Sequence, residues 1–157
     1  MAKERKSWRE KLAYSKNLPK VVEITNKMSQ RWGTGTMVVP APMEVDEIMR
    51  KVPEGKITTI NRIRETLARK HGATIGCPMT TGIFASIAAR AAEEAMTERE
   101  KNITPYWRTL KSNGELNEKY PGGIEDQTVR LTKEGHTIEP GKGKNPSRVK
   151  NFEKVLQ

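Results

Sequence analysis

The chain has 157 residues, with 29 Lys plus Arg against 19 Asp plus Glu, a formal charge of +10 and a pI of about 9.8. That length holds one ordinary domain with a modest core, which excludes a two-domain enzyme; one cysteine and two histidines exclude a disulfide framework and a cysteine- or histidine-based metal centre. The charge points to a polyanionic partner, nucleic acid before membrane, although a merely soluble basic protein would show the same balance.

No apolar run approaches the roughly 20 residues of a bilayer-spanning helix. The start, MAKERKSWREK, lacks the apolar centre of a secretory signal, so a cytoplasmic, nucleoid-associated location is expected. Charge and periodicity divide the chain into three stretches. Residues 1–42 read as a basic N-terminal arm, with Lys3, Arg5, Lys6, Arg9 and Lys11 at its start and GTGTMVVPAP as a short strand or extended linker closed by Pro40 and Pro42. From Met43 the pattern is helical: Val45, Ile48, Met49 and Val52 recur on one face, and Glu44, Asp46 and Glu47 occupy the first turn, where the helix dipole favours acids. VPEGK ends that helix. A second follows, capped by Thr58 or Thr59, with Ile60, Ile63 and Leu67 on its apolar face, Arg62, Arg64, Arg69 and Lys70 on the other, and Gly72 beyond its end.

ATIGCPMTT connects to a third helix, expected from about Thr81 to Glu98, whose body GIFASIAARAAEEAM is rich in small residues. Two helices joined by a short Gly-containing turn fit a helix-turn-helix, and small side chains let the second approach either a groove or another helix closely. Thr80, Thr81, Gly82, Ala85, Ser86 and Arg90 on that helix, with Arg62 on the one before it, are the expected DNA contacts. The expected fold class is mainly α with small β elements. A basic C-terminal extension, residues 136–157, is Gly- and Pro-rich at first and then a strand or short helix at RVKNFEKVL.

The remaining stretch, ITPYWRTLKSNGELNEKYPGGIE, followed by a helix ending KEG, resembles the DNA-binding domain of O6-alkylguanine-DNA alkyltransferases over about residues 43–135. In that family the segment reads Pro-Cys-His-Arg, then a turn, a Tyr-(Ser/Ala)-Gly-Gly corner and a helix. Here Pro105, Arg108, the Asn113-Gly114 turn, Tyr120, Gly122, Gly123 and Glu125 stand in those places. The resemblance implies a winged helix-turn-helix of the alkyltransferase C-terminal type. It also implies a lesion pocket made by Pro105, Tyr106, Trp107, Arg108, Tyr120, Gly122 and Gly123.

The departures bear on chemistry. An alkyl acceptor must be a thiolate with a proton-relaying neighbour such as His; Tyr106 holds the acceptor position and Trp107 the His position, and neither a phenol of reference pKa about 10 nor an indole can do that work. Glu134 matches the family's distal carboxylate and reads as a structural one. Cys77, at the start of the third helix, could be an alternative nucleophile through the helix dipole, but reads better as a small turn or buried cysteine. No catalytic residue, metal or cofactor is expected. The resemblance thus narrows to the alkyltransferase-like branch, which lacks the acceptor cysteine and acts as a sensor, flipping an alkylated guanine without repairing it. Two family residues are missing: the intercalating Arg aligns with Thr81 and the phosphate-rotating Tyr with Ile60. Tyr106 is expected to line the pocket beneath the corner, Trp107 to be buried in the core, and Arg108 to reach a backbone group or a phosphate.

Three functions fit these residues: a non-catalytic DNA-binding monomer that senses O6-alkylguanine in duplex DNA and recruits a repair protein; an alkyltransferase working through Cys77; and an interaction module that binds nucleic acid or protein without lesion preference.

Overall fold

The computed structural model describes residues 7–141, 143 and 146–157. The basic charges expected at Lys3, Arg5 and Lys6 lie outside the described residues. In chain order the elements are α1 (Trp8–Ala13), β1 (Lys20–Glu23), α2 (Asn26–Trp32), β2 (Thr36–Val39), α3 (Pro42–Arg50), β3 (Thr58–Thr59), α4 (Ile60–His71), β4 (Ile75–Gly76), α5 (Pro78–Thr97), a 3-10 turn (Tyr106–Arg108), β5 (Thr109–Leu110), α6 (Gly123–Lys133), β6 (Ile138–Glu139), β7 (Arg148–Val149) and a second 3-10 turn (Phe152–Val155).

The local signals for α4 act where they stand. Thr59 accepts the Arg62 N–H through its side chain, and Gly72 ends the helix in the left-handed conformation that lacks a Cβ penalty. The link to α5 is tight. A Cβ on Gly76 would lie 2.7 Å from the Arg64 carbonyl oxygen, so β4 rests backbone to backbone on α4. The Arg64 Nε then donates to the Gly76 carbonyl at 2.8 Å. Helix α5 begins at Pro78 rather than near Thr81, with proline at its first turn, where its missing N–H costs no hydrogen bond.

α5 is the spine of the larger core. Its Ala85, Ala88, Ala89, Ala91 and Ala92 are buried together with Leu12, Val38, Val45, Met49, Ile63 and Leu67, and Tyr106 and Tyr120 close one side. Alanines let α1, α3 and α4 all lie against one helix. A smaller core gathers Ile57, Leu110, Leu116, Leu131 and Val149, with Phe152, Val155 and Leu156 against it. The three small sheets connect distant segments: β1-β2-β4, with β2 parallel to β4; β3-β5, parallel; and β6-β7, antiparallel.

The expected division at residues 43 and 135 does not appear in the packing. Leu12 and Val38 belong to the larger core, and Met37 and Val38 pair with Ile75 and Gly76. α1 is held by the side of α5: the Trp8 and Arg9 N–H groups donate to Glu94 at 2.9 and 3.0 Å, and Arg9 pairs with Glu98 and Glu100. At the other end Val149 is buried, and the Gln157 N–H donates to the Ile57 carbonyl at 2.8 Å. Sparse apolar residues in basic segments found partners far along the chain.

One carboxylate joins the start of α3 to the end of α4. Glu44 accepts the Ala41 N–H at 3.1 Å, Lys70 Nζ approaches at 2.8 Å and His71 Nε2 at 2.6 Å. Burial pushes the Glu44 carboxyl up, but Lys70, the Ala41 N–H and His71 outweigh it and hold the group below its ordinary 4.5. A lowered acid contributes stability above its unfolded-state pKa and loses it as pH falls through the folded-state value. The thermal midpoint of the parent should therefore drop as pH is lowered below about 4.5. In a series of melts, Glu44→Gln should flatten part of that drop.

Candidate nucleic-acid interface and lesion pocket

The 3-10 turn at Tyr106–Arg108 sends three consecutive side chains in three directions. At about three residues per turn, neighbours diverge by roughly 120°. Tyr106 points inward and is 1% exposed. Its ring meets Trp107 edge-on at 5.3 Å between centroids and Tyr120 edge-on at 5.5 Å. Burial pushes the Tyr106 phenol up, Arg130 pulls it down, and Glu93 and Asp126 push it up again, with a net rise. It is therefore protonated at neutral pH. Burial likewise raises the Tyr120 phenol. Neither hydroxyl has a hydrogen-bond partner among the described residues.

Trp107 points sideways. One face packs on both cores, and the other lines a cavity of about 420 Å³ with Glu54, Asp126, Val129, Arg130, Lys133 and Glu134. The Arg130 guanidinium sits 4.5 Å above the ring centroid, within cation–π range. The two aromatic side chains thus exchange their expected places: Tyr106 is in the core and Trp107 is half-buried at a cavity wall. The expectation assumed the family's side-chain directions, and the 3-10 turn sets different ones.

Arg108 points toward α6 and α3. Its guanidinium donates to Glu134 through Nε at 2.9 Å and Nη2 at 2.6 Å, while Nη1 donates to the Val52 carbonyl at 2.8 Å. The Trp107 indole N–H donates to the same carboxylate at 3.1 Å. Glu134 therefore orients both residues. Gln127, absent from the expected site, is fully buried: its carbonyl oxygen accepts the Asn117 N–H at 2.8 Å, and its amide donates to the Trp107 carbonyl at 3.1 Å. It ties the turn to the segment before the corner. Its only sequence signal was a polar residue on the inward face of an amphipathic helix.

At the corner Tyr120 is buried, Gly122 is exposed and Gly123 half-buried. Gly122 has φ 78°, and a Cβ there would lie 1.9 Å from Asp126 Oδ2, so glycine is required. Pro105 is buried before the turn.

On α5 the expected DNA-facing set divides. Thr81 and Ala85 are 0% exposed and belong to the core face, and the Thr81 hydroxyl donates to the Cys77 carbonyl at 2.6 Å. Neither faces outward, which corrects that expectation. An alanine-rich helix gives little contrast between its faces, so its phase could not be read. Thr80, Gly82 and Ser86 are half-buried. The exposed positions are Met79 and Ile83. Arg90 is half-buried, stacked 5.1 Å from the Trp8 ring centroid and donating to the Lys119 carbonyl at 3.3 Å. Arg62 is exposed, 3.9 Å from Glu65. Cys77 is buried at the N-cap of α5, and Ile60 opens α4. Among the described residues, no group of three or more His, Cys, Asp or Glu could hold a metal ion, and no helix is long and apolar enough to cross a membrane.

No family model matches the chain, and no curated protein matches it. Among solved structures the fold is similar to that of S. pombe ATL in complex with DNA, with a TM-score of 0.51 and 20% identity over 74% of this chain and 93% of that one. A structure of S. pombe Atl1 in complex with damaged DNA containing O6-carboxymethylguanine aligns with the same identity and coverage and a TM-score of 0.48. At 20% identity the likeness to the DNA complex is one of fold.

Removing either partner of a buried ion pair leaves the other uncompensated. Glu134→Ala should cost about 3 kcal/mol in urea unfolding and shift the Trp107 emission as the indole loses its acceptor. Trp107→Phe removes one hydrogen bond but keeps most of the bulk, and should cost about 1–2 kcal/mol.

Proposed function

We propose that this chain is a non-catalytic protein that binds duplex DNA and senses O6-alkylated guanine, marking it for a repair protein without removing the alkyl group. The observation that carries this reading is the Tyr106–Tyr120 pair. The position that an acceptor thiol would hold is filled by a buried phenol kept protonated by its surroundings. The one cysteine is buried at the far end of the α4–α5 link. Alkyl transfer has no nucleophile here.

Binding has more support. On this reading α4 and α5 act as a helix-turn-helix and β6–β7 as its wing. A flipped base would enter beneath the Tyr120–Gly123 corner and stack on the two rings. Two buried hydroxyls without partners, each leaving an unmet polar group worth roughly 1–3 kcal/mol, suit a ligand that brings hydrogen-bonding edges of its own. The fold likeness to an alkyltransferase-like protein crystallised with DNA agrees with the reading. The formal charge of +10 supplies the attraction to phosphate.

The test is a titration of duplexes of one sequence, plain and carrying a single O6-alkylguanine. The parent should prefer the modified duplex, its log-log salt slope should be near −0.9 per neutralised phosphate, and intact mass after incubation should show no alkyl adduct. Tyr106→Phe keeps the ring and removes the hydroxyl, and should lower the modified-to-plain ratio while leaving the salt slope unchanged. Equal affinity of the parent for modified DNA, plain DNA and RNA would overturn the sensing reading in favour of an interaction module.

A further inference from the structure

Six large apolar side chains are exposed among the described residues, and two of them share one face of α5: Met79, 67% exposed, and Ile83, 53% exposed. At i and i+4 they are neighbours on the helix surface. Gly82 beside them is open, since a Cβ built there would meet nothing within 4 Å. α5 carries no charged residue from Pro78 to Ala89. Arginines bound this uncharged strip at both ends: Arg64, whose Nε holds the Gly76 carbonyl just before α5, and Arg90 after it.

An apolar protrusion between two cationic ends matches the interior of a nucleic-acid groove, where uncharged base edges lie between two rows of phosphates. Apolar side chains that enter a groove act by wedging between adjacent base pairs and unstacking them. A β-branched residue in a helix has essentially one χ1 rotamer, so Ile83 is held stiffly, while the unbranched Met79 can adapt beside it. We infer that Met79 and Ile83 form an apolar wedge that enters a duplex base step and unstacks it, so that extrusion of a base is driven from this point on α5. Thr81, buried on the opposite face, has no part in it. The inference rests on the duplex binding proposed above and adds how the helix acts on the stack.

The experiment uses the full chain and a plain duplex with 2-aminopurine at one position, a base that brightens when unstacked. Saturating parent protein should raise its emission several-fold. Met79→Ala with Ile83→Ala should abolish most of that rise and weaken binding about tenfold, from the apolar surface no longer buried, with the salt slope retained. Both residues are exposed, so the double variant should melt with the parent. Ile83→Leu, which keeps the bulk, should retain the rise. Parent protein that binds with the expected salt slope but does not brighten the probe overturns the wedge and leaves duplex binding standing. A double variant that brightens it as the parent does also overturns the wedge and assigns the strip to a protein partner. No binding of any duplex by the parent overturns the proposed function first and the wedge with it.

Discussion

Glu134 is a carboxylate at the C-terminal end of a helix, where the dipole disfavours negative charge, and it is largely buried. Such a group is tolerable only with strong donors around it. Trp107 and Arg108 supply them, and in doing so they are locked in direction. Arg108 also reaches the Val52 carbonyl, so one carboxylate fixes the 3-10 turn against both α6 and the loop after α3. The inward direction of Tyr106 follows, because its two successors are committed elsewhere. The cation at 108 is consumed inside the protein and is not offered to phosphate.

A second electrostatic problem lies along α5. Its first three turns are uncharged, but Glu93 and Glu94 follow, with Glu98 at the end, and a polyanion approaching that helix would be repelled by them. α1 covers this region. The free N–H groups of its first turn fall on Glu94, and Arg9 meets Glu98 and Glu100. The N-terminal segment, whose basic residues suggested a phosphate-binding arm, spends this charge neutralising the protein's own acids.

Much of the scaffold was legible because its signals are local. Thr59, Gly72 and the apolar spacing of α4 act within a dozen residues, and the Asn113-Gly114 turn needs only the positive φ of Gly114. The absence of a nucleophile could be read from residue types alone. What escaped was direction and distance. Whether Tyr106 or Trp107 faced the core depended on the 3-10 turn, and the phase of α5 depended on which of its many alanines were buried. The docking of α1 depended on a partner 85 residues away, for which a short basic segment carries no local pattern.

The contact between Gly76 and the backbone of Arg64 separates geometry from specificity. Because β4 lies directly on α4, the angle at which α5 leaves the link is set by main-chain contact and the absence of a Cβ, with no dependence on the side chains that α5 shows to solvent. Those outward positions are free to diverge without tilting the helix. Related chains could therefore keep one docking pose while changing what the helix presses into a groove, and the residue least open to such drift would be a glycine that touches no ligand at all.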